Sequence, residues 1–277
     1  MDKHIKANRT LWDDWAGLHV ESKAYDVKGF KRNPCRLPKV ELEEVGDVAG
    51  KSLLHLQCHF GLDTLSWAKQ GAKVTGTDFS EKAVALAKSL ADELNIPAEF
   101  ICANLYDLPK VLTGQFDIVF TSKGVLCWLP DLREWAQVIA HFLKPGGIFY
   151  IHEFHPFAGI FDNDEKAKTP TIRYPYFHSD PPMRFEGAAS YAASNPDGIR
   201  RESFEWSHSL ADVLSALLAA DLRIEFLHEF PYCTYQSHLF LTKGEDGLWR
   251  YPGAPAGMPL MFSLKAVKLG AVPDSTG

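Results

Sequence analysis

The chain has 277 residues, 46% of them hydrophobic and 23% charged, with a formal net charge of −6. That balance is ordinary for a globular protein, and an acidic chain without a basic run lacks the cationic footprint that nucleic-acid binding needs. No apolar stretch approaches the roughly 20 residues that span a bilayer, the polar start MDKHIKANRTLWDDW has no signal-peptide core, and five scattered cysteines without a CxxC pair read as reduced thiols of a cytoplasmic protein.

The first fifty residues carry Trp12, Trp15, Tyr25 and Phe30 and read as an N-terminal lid. An apolar strand, Ser52–Gln57, then feeds the turn QCHFG, an amphipathic helix and a second strand ending in Asp78, 17 residues after Gly61. Strand, turn, helix, strand and acid in that order form the nucleotide-recognition half of a doubly wound α/β domain. Ser80 is an N-cap for a helix over Glu81–Leu94, with Ala83, Leu86, Ala87, Leu90 and Leu94 on one face and Pro97 beyond its end. Ala98–Ala103 reads as a third strand and Phe116–Ser122 as a buried fourth. A helix over Leu132–Leu143 stops at Lys144–Gly147, and Ile148–Phe154 is the fifth strand. Alternating elements with short connections predict a parallel sheet covered by helices on both faces.

Regularity fails from Pro156 to Glu205, a stretch too rich in aromatics for disorder, which predicts an ordered cap on the rim of the sheet. The pattern resumes with a helix capped by Ser209 and Asp212, a strand over Leu222–Phe230, a long connection Pro231–Pro259, and a last strand over Leu260–Lys268. The expected organisation is a lid over 1–50, a core made of 51–155 and 206–277, and a cap inserted over 156–205.

These segments together resemble the class I S-adenosylmethionine-dependent methyltransferases. The family's first motif, acid-x-Gly-x-Gly-x-Gly, falls on His55-Leu56-Gln57-Cys58-His59-Phe60-Gly61, where only Gly61 matches. Asp78 matches the acid after strand 2 and is followed by Phe79; Asn104 stands where an acid usually meets the adenine amino group, with Leu105 next to it; FDIVFTSKGVLCWLPDL matches strand 4 with Ser122 at its exit, and LKPGG the turn before strand 5. The resemblance implies a Rossmann-like, seven-stranded, mostly parallel sheet of order 3-2-1-4-5-7-6 with strand 7 antiparallel. It also implies S-adenosylmethionine as cofactor, S-adenosylhomocysteine as product, and an unidentified small-molecule acceptor. Tyr25, Gln57, His59, Gly61, Asp78, Phe79, Asn104, Leu105 and Ser122 are then the cofactor-binding candidates. His55 in place of the family's acid means that another group must meet the methionine ammonium.

The lost glycines bear on the alternatives. A dinucleotide fold needs the second glycine so that its backbone can approach a pyrophosphate, and His59 beside Phe60 obstructs that approach. S-adenosylmethionine has no phosphate. An NAD(P)-dependent oxidoreductase and a non-catalytic S-adenosylmethionine-binding protein are the other readings. Phe79 reads equally as core or as the edge of an adenine slot, and Cys58 as a small packing residue. HEFH, His152–His155, lies at the end of strand 5, where an acceptor would sit. It lacks the His-x-x-x-His spacing of a helical zinc site, so no metal is expected. His155 and Glu153 are the candidate general bases, against the plainer reading of rim histidines held by hydrogen bonds. His208 is read as structural.

Overall fold

A computed structural model describes residues 2–164, 166–188, 190–192, 201–254 and 257–270. Residues 165, 189 and 193–200 of the expected cap lie outside the described residues. The chain opens with three helices, α1 (Lys3–Val20), α2 (Val27–Arg32) and α3 (Lys39–Val45). The core follows as β1 (Ser52–Leu56), α4 (Leu62–Lys69), β2 (Lys73–Asp78), α5 (Glu81–Leu94), β3 (Glu99–Cys102), β4 (Phe116–Thr121), α6 (Leu132–Phe142) and β5 (Leu143–Phe154). A hairpin, β6 (Met183–Ala188) with β7 (Arg201–Glu205), precedes α7 (Leu210–Ala219), β8 (Leu222–Phe230), the short pair β9 (Thr242–Lys243) and β10 (Trp249–Arg250), and β11 (Met261–Lys268).

Seven strands form one sheet in the order β3-β2-β1-β4-β5-β11-β8. β1 to β5 are mutually parallel, and β11 runs antiparallel to both β5 and β8. Numbered by appearance within this sheet, that is the 3-2-1-4-5-7-6 order with its antiparallel seventh strand, as the resemblance implies.

The side-chain pattern explains the layers. Leu54, Leu56, Val119, Phe149 and Ile151 point to one face and pack under α6 and α7. Leu53, Ile118, Phe120 and Tyr150 point to the other and meet Trp67 of α4 and Val45 of α3. Leu53 and Phe120 are fully buried, a burial that contributes about 1.5–3 kcal/mol for each such side chain. A further cluster joins Val27 and Phe30 of α2 to Phe60, Leu65, Leu90 and Phe100. It fastens the N-terminal helices to the α4–α5 side of the core.

Local chemistry sets the helix ends. Ser80 accepts the Ala83 N–H, Asp131 accepts those of Arg133 and Glu134, and Ser209 with Asp212 closes a capping box. The expected helix over Glu81–Leu94 is found with those bounds, and Asn95 ends it in the left-handed conformation. Several boundaries differ from expectation, and two of the differences have a local physical cause. β1 stops at Leu56 because Gln57 turns left-handed at φ 55°. β5 begins at Leu143 rather than Ile148, since Leu143 already pairs with Phe116 before a register shift that accommodates the Pro-Gly-Gly turn. The aromatic stretch expected to be irregular contains the β6–β7 hairpin, and the first fifty residues are helical. Among the described residues no helix is long and apolar enough to cross a membrane.

Candidate active site

The turn after β1 keeps the backbone of a glycine loop without most of its glycines. Gln57, His59 and Gly61 all have positive φ, at 55°, 51° and 79°. These are the three positions where the family motif places glycine. A non-glycine residue in this region costs about 1–2 kcal/mol, so the contacts must hold it there. Cys58 N donates to Thr77 O at 2.9 Å, Gly61 N to Cys58 O at 2.9 Å, and Gln57 Nε2 to Val125 O at 3.3 Å. His59 N donates to Asp78 Oδ2 at 2.8 Å.

Asp78 is the hub of this turn. Its other oxygen accepts the Ser80 N–H at 2.9 Å, and Ala103 N donates to its backbone carbonyl, binding the exit of β3 to the exit of β2. Burial pushes its carboxyl up to about 6 against the pull of these hydrogen bonds. A carboxylate has about four acceptor positions, so each oxygen keeps a lone pair for a ligand hydroxyl. Phe79 beside it is half-buried, and Asn104 uses its side-chain oxygen to cap the Tyr106 N–H. Leu105 is buried in the core under α6.

The N-terminal helix closes over the turn. Asp13 of α1 accepts from Ser80 Oγ at 2.7 Å and Lys82 N at 3.1 Å, and Arg9 pairs with Glu81. Trp12 packs edge-on to His59 (5.2 Å), Trp15 (5.3 Å) and Trp128 (5.3 Å). His19 stacks on Tyr25 and bridges three regions: its Nδ1 lies 3.0 Å from His59 Nε2 and its Nε2 2.9 Å from Ser190 Oγ. Burial holds both histidines below their ordinary value, His19 at about 4, so at neutral pH they are uncharged. Tyr25 also packs on Phe60, and its hydroxyl bonds that of Tyr191.

At the end of β5, the Glu153 carboxylate accepts the backbone N–H groups of Gly124, Val125, Leu126 and Phe154. Burial pushes its pKa up while those four bonds pull it down. The carboxylate therefore clamps the loop that leaves β4. His152 meets Glu41 of α3 at 2.9 Å. His155 Nδ1 accepts the Phe157 N–H, which leaves its proton on Nε2, 2.8 Å from Glu229 Oε1. His208 lies 2.7 Å from the Leu129 carbonyl, which fixes its ring.

A methyltransferase-domain family model matches residues 54–151, the span from β1 to β5 that carries this turn, Asp78 and Asn104. That stretch matches a methyltransferase domain, and the chain is similar there to S-adenosylmethionine-dependent methyltransferases. A ubiquinone biosynthesis O-methyltransferase of Bordetella avium (strain 197N) is 28% identical over 174 residues, 61% of this chain and 71% of that protein. One of Escherichia coli O7:K1 (strain IAI39 / ExPEC) is 33% identical over 133 residues, 46% of this chain and 55% of that protein. The chain spans about half the length of most of the curated relatives it matches. A solved S-adenosylmethionine-dependent methyltransferase from Mesorhizobium loti shares the fold, with a TM-score of 0.57 at 19% identity over 82% of this chain and 96% of that one.

The methyltransferase cofactor fits the residues present. Among the described residues, Gln57 Oε1, His59 Nδ1, Trp15 Nε1 and Thr121 Oγ1 are buried without a hydrogen-bond partner, and all four lie on the turn, the exit of β4 or α1. Buried polar atoms are nearly always paired in native proteins, and a cofactor with ribose, amino and carboxylate groups supplies partners of the right kind. His55, in the place of the family's acid, is held by Thr64 Oγ1 at 2.8 Å and Ser122 Oγ at 3.1 Å. Burial holds it at about 4, so it is neutral and offers no anion.

Several residues of this methyltransferase site escape sequence reasoning. Trp128 and His19 belong to no motif, and only the fold brings His19 onto His59 and Trp128 onto Trp12 and Trp15. Glu205, at the end of β7, is the least conspicuous: among the described residues no hydrogen bond or ion pair reaches its carboxylate, and burial raises its pKa to about 7. The next residue's N–H, of Trp206, donates to Cys127 O at 2.8 Å, so Glu205 stands against the loop that leaves β4. The Cys127 thiol, pushed up first by burial, is raised further by the Glu205 and Glu153 charges. An acid ending an irregular segment carries no signal in the sequence.

Proposed function

We propose that the protein transfers the methyl group of S-adenosylmethionine to a small-molecule acceptor held between the loop after β4 and the cap. The observation that carries this reading is the Asp78-centred turn, a glycine-loop backbone maintained by side chains in a methyltransferase domain. When bound, the cofactor would supply a methyl carbon activated by its sulfonium.

The protein's own residues orient and exclude water. Asp78 would hold the ribose hydroxyls, with Asn104, Phe79 and Leu105 around the adenine and Gln57, His59, Gly61, Tyr25 and Ser122 along the methionine part. Glu153 acts by fixing the loop after β4, and His155 by its place beside Glu229 at the rim, so both serve as positioning residues for the acceptor wall. Trp12, Trp15 and Trp128 form an aromatic lining beside the turn that would keep water out. Holding nucleophile, methyl and sulfur in line is worth about 7–11 kcal/mol in such reactions. The relatives named above are O-methyltransferases of ubiquinone biosynthesis, which makes oxygen nucleophiles the first acceptor class to test. Five free cysteines support a cytoplasmic setting and the N-terminal helices act as a lid.

The test is turnover of methyl-labelled donor against a panel of phenols, carboxylates and amines. Label transfer to at least one acceptor, lost in the Asp78→Ala variant, supports the reading. Donor binding without transfer to any compound would favour the non-catalytic binding protein instead.

A further inference from the structure

The amino-acid end of S-adenosylmethionine is a zwitterion, so a desolvated site for it needs an anion for the ammonium and a cation for the carboxylate. His55 is neutral and cannot be that anion. An acid whose charge reaches His55 is Asp63, in the first turn of α4. His55 Nδ1 bonds the next residue, Thr64, so that turn lies directly against β1 and, through Ser122, against the exit of β4. The Asp63 side chain is only 16% exposed. Among the described residues no hydrogen bond to its carboxylate is formed, and its one close ion-pair contact is Arg36 Nε at 3.4 Å.

Arg36 is anchored by its backbone N–H on Ser66 Oγ, and its guanidinium lies over the Tyr25 ring at 5.3 Å. Both charges act on the turn. That of Asp63 is felt by Tyr25, His55 and Cys58, and that of Arg36 by Tyr25, His59 and Tyr191. Burial works against an ionised Asp63, but nearby positive charge, chiefly that of Lys123 and Arg36, outweighs it and keeps the carboxyl below its ordinary value. The pair is therefore charged on both sides, sits beside the glycine-like turn, and uses few of its hydrogen-bonding positions.

We infer that Asp63 and Arg36 form the clamp for the methionine end of the cofactor, Asp63 taking the ammonium and Arg36 the carboxylate. The acid that the family keeps on strand β1 has in this chain moved to the first turn of α4, across from a neutral histidine. The inference rests on the cofactor reading above.

The experiment is calorimetric binding of two ligands, S-adenosylhomocysteine and 5′-methylthioadenosine, which share the adenosine and thioether but differ in the amino-acid end. Asp63→Asn and Arg36→Gln should each weaken S-adenosylhomocysteine at least tenfold while leaving 5′-methylthioadenosine within about threefold. Asp78→Ala should weaken both. Equal losses for the two ligands in Asp63→Asn and Arg36→Gln, or no loss of S-adenosylhomocysteine, would overturn the clamp. Should either variant fail to fold, the wild-type protein decides: it should prefer S-adenosylhomocysteine at least a hundredfold, and equal binding of the two ligands overturns the clamp while sparing the cofactor assignment. Binding of neither ligand overturns both.

Discussion

The two ends of the proposed cofactor cleft are built differently. At the adenosine end, Asp78 stands where the family keeps its acid, and backbone groups of His59, Ser80 and Ala103 tie it in place. At the proposed methionine end the backbone has positive φ at the three glycine positions of the motif, but the side chains differ from it. Gln57 and His59 occupy glycine positions, His55 replaces an acid, and Trp12, His19 and Tyr25 from the N-terminal segment pack onto His59. Backbone geometry at such a turn is set by what must pass over it, whereas side chains can be exchanged as long as neighbours compensate. His59 shows how: left-handed strain is offset by one hydrogen bond to Asp78 and by aromatic contacts.

That contrast breaks first at Asp78. Asp78→Ala should lower S-adenosylhomocysteine affinity at least a hundredfold by calorimetry, because the ribose loses its anchor and the His59 N–H its acceptor. Affinity close to the parent would mean that the adenosine end is not where the family pattern puts it.

Glu153→Gln tests the wall facing the acceptor. It replaces a charged acceptor of four N–H groups by a neutral amide, and charge-assisted bonds are worth about 1.5–3 kcal/mol. A stability loss of about 2–3 kcal/mol in denaturant unfolding is expected, with methyl transfer reduced more than cofactor binding.

His59→Gly restores a family glycine. It relieves about 1–2 kcal/mol of backbone strain but removes contacts with Trp12, Tyr25 and His19, each worth about 0.5–1.5 kcal/mol. A more flexible unfolded chain adds a further cost. The expected net change is a loss of about 1–2 kcal/mol in unfolding free energy and a shift in the fluorescence of the N-terminal tryptophans, with S-adenosylhomocysteine affinity reduced about tenfold because the His59 ring is proposed to line the methionine part. Affinity equal to the parent would mean that His59 does not contact the cofactor.

Glu205 gives the smallest effect and a pH signature. Its folded pKa of about 7 lies above the ordinary glutamate value of 4.5, because burial disfavours the charge. The folded state therefore holds the proton more tightly. The stability it contributes is complete below about pH 4.5 and is lost as pH rises through about 7. Glu205→Gln should flatten that slope and stabilise the protein at pH 8 by about 1–2 kcal/mol, after allowance for partial exposure. Thermal unfolding between pH 5 and 8 measures it, and parallel curves for variant and parent would refute it.

Much of the fold was legible because its signals are local. The apolar runs of β1 and β4, the Ser80 cap and the spacing to Asp78 each depend on neighbours in sequence. The turn was legible too, since His55 to Gly61 keeps the length of the glycine motif. What escaped depends on distant contacts. The three N-terminal helices, the Trp12–Trp128 packing and the Asp63–Arg36 pair join residues 27 to 116 positions apart in the chain. The β6–β7 hairpin is held to α1 by Asn8, whose side chain exchanges two hydrogen bonds with the Phe204 backbone. Nothing in the order of residues around Asn8 or Phe204 announces that pairing.

The most direct measurement is a calorimetric titration of the wild-type chain with S-adenosylhomocysteine, alone and in the presence of excess NADH. One ligand bound per chain, with an affinity unaffected by NADH, is the predicted result. No heat of binding, or competition by NADH, would contradict the assignment of this glycine-poor turn to S-adenosylmethionine.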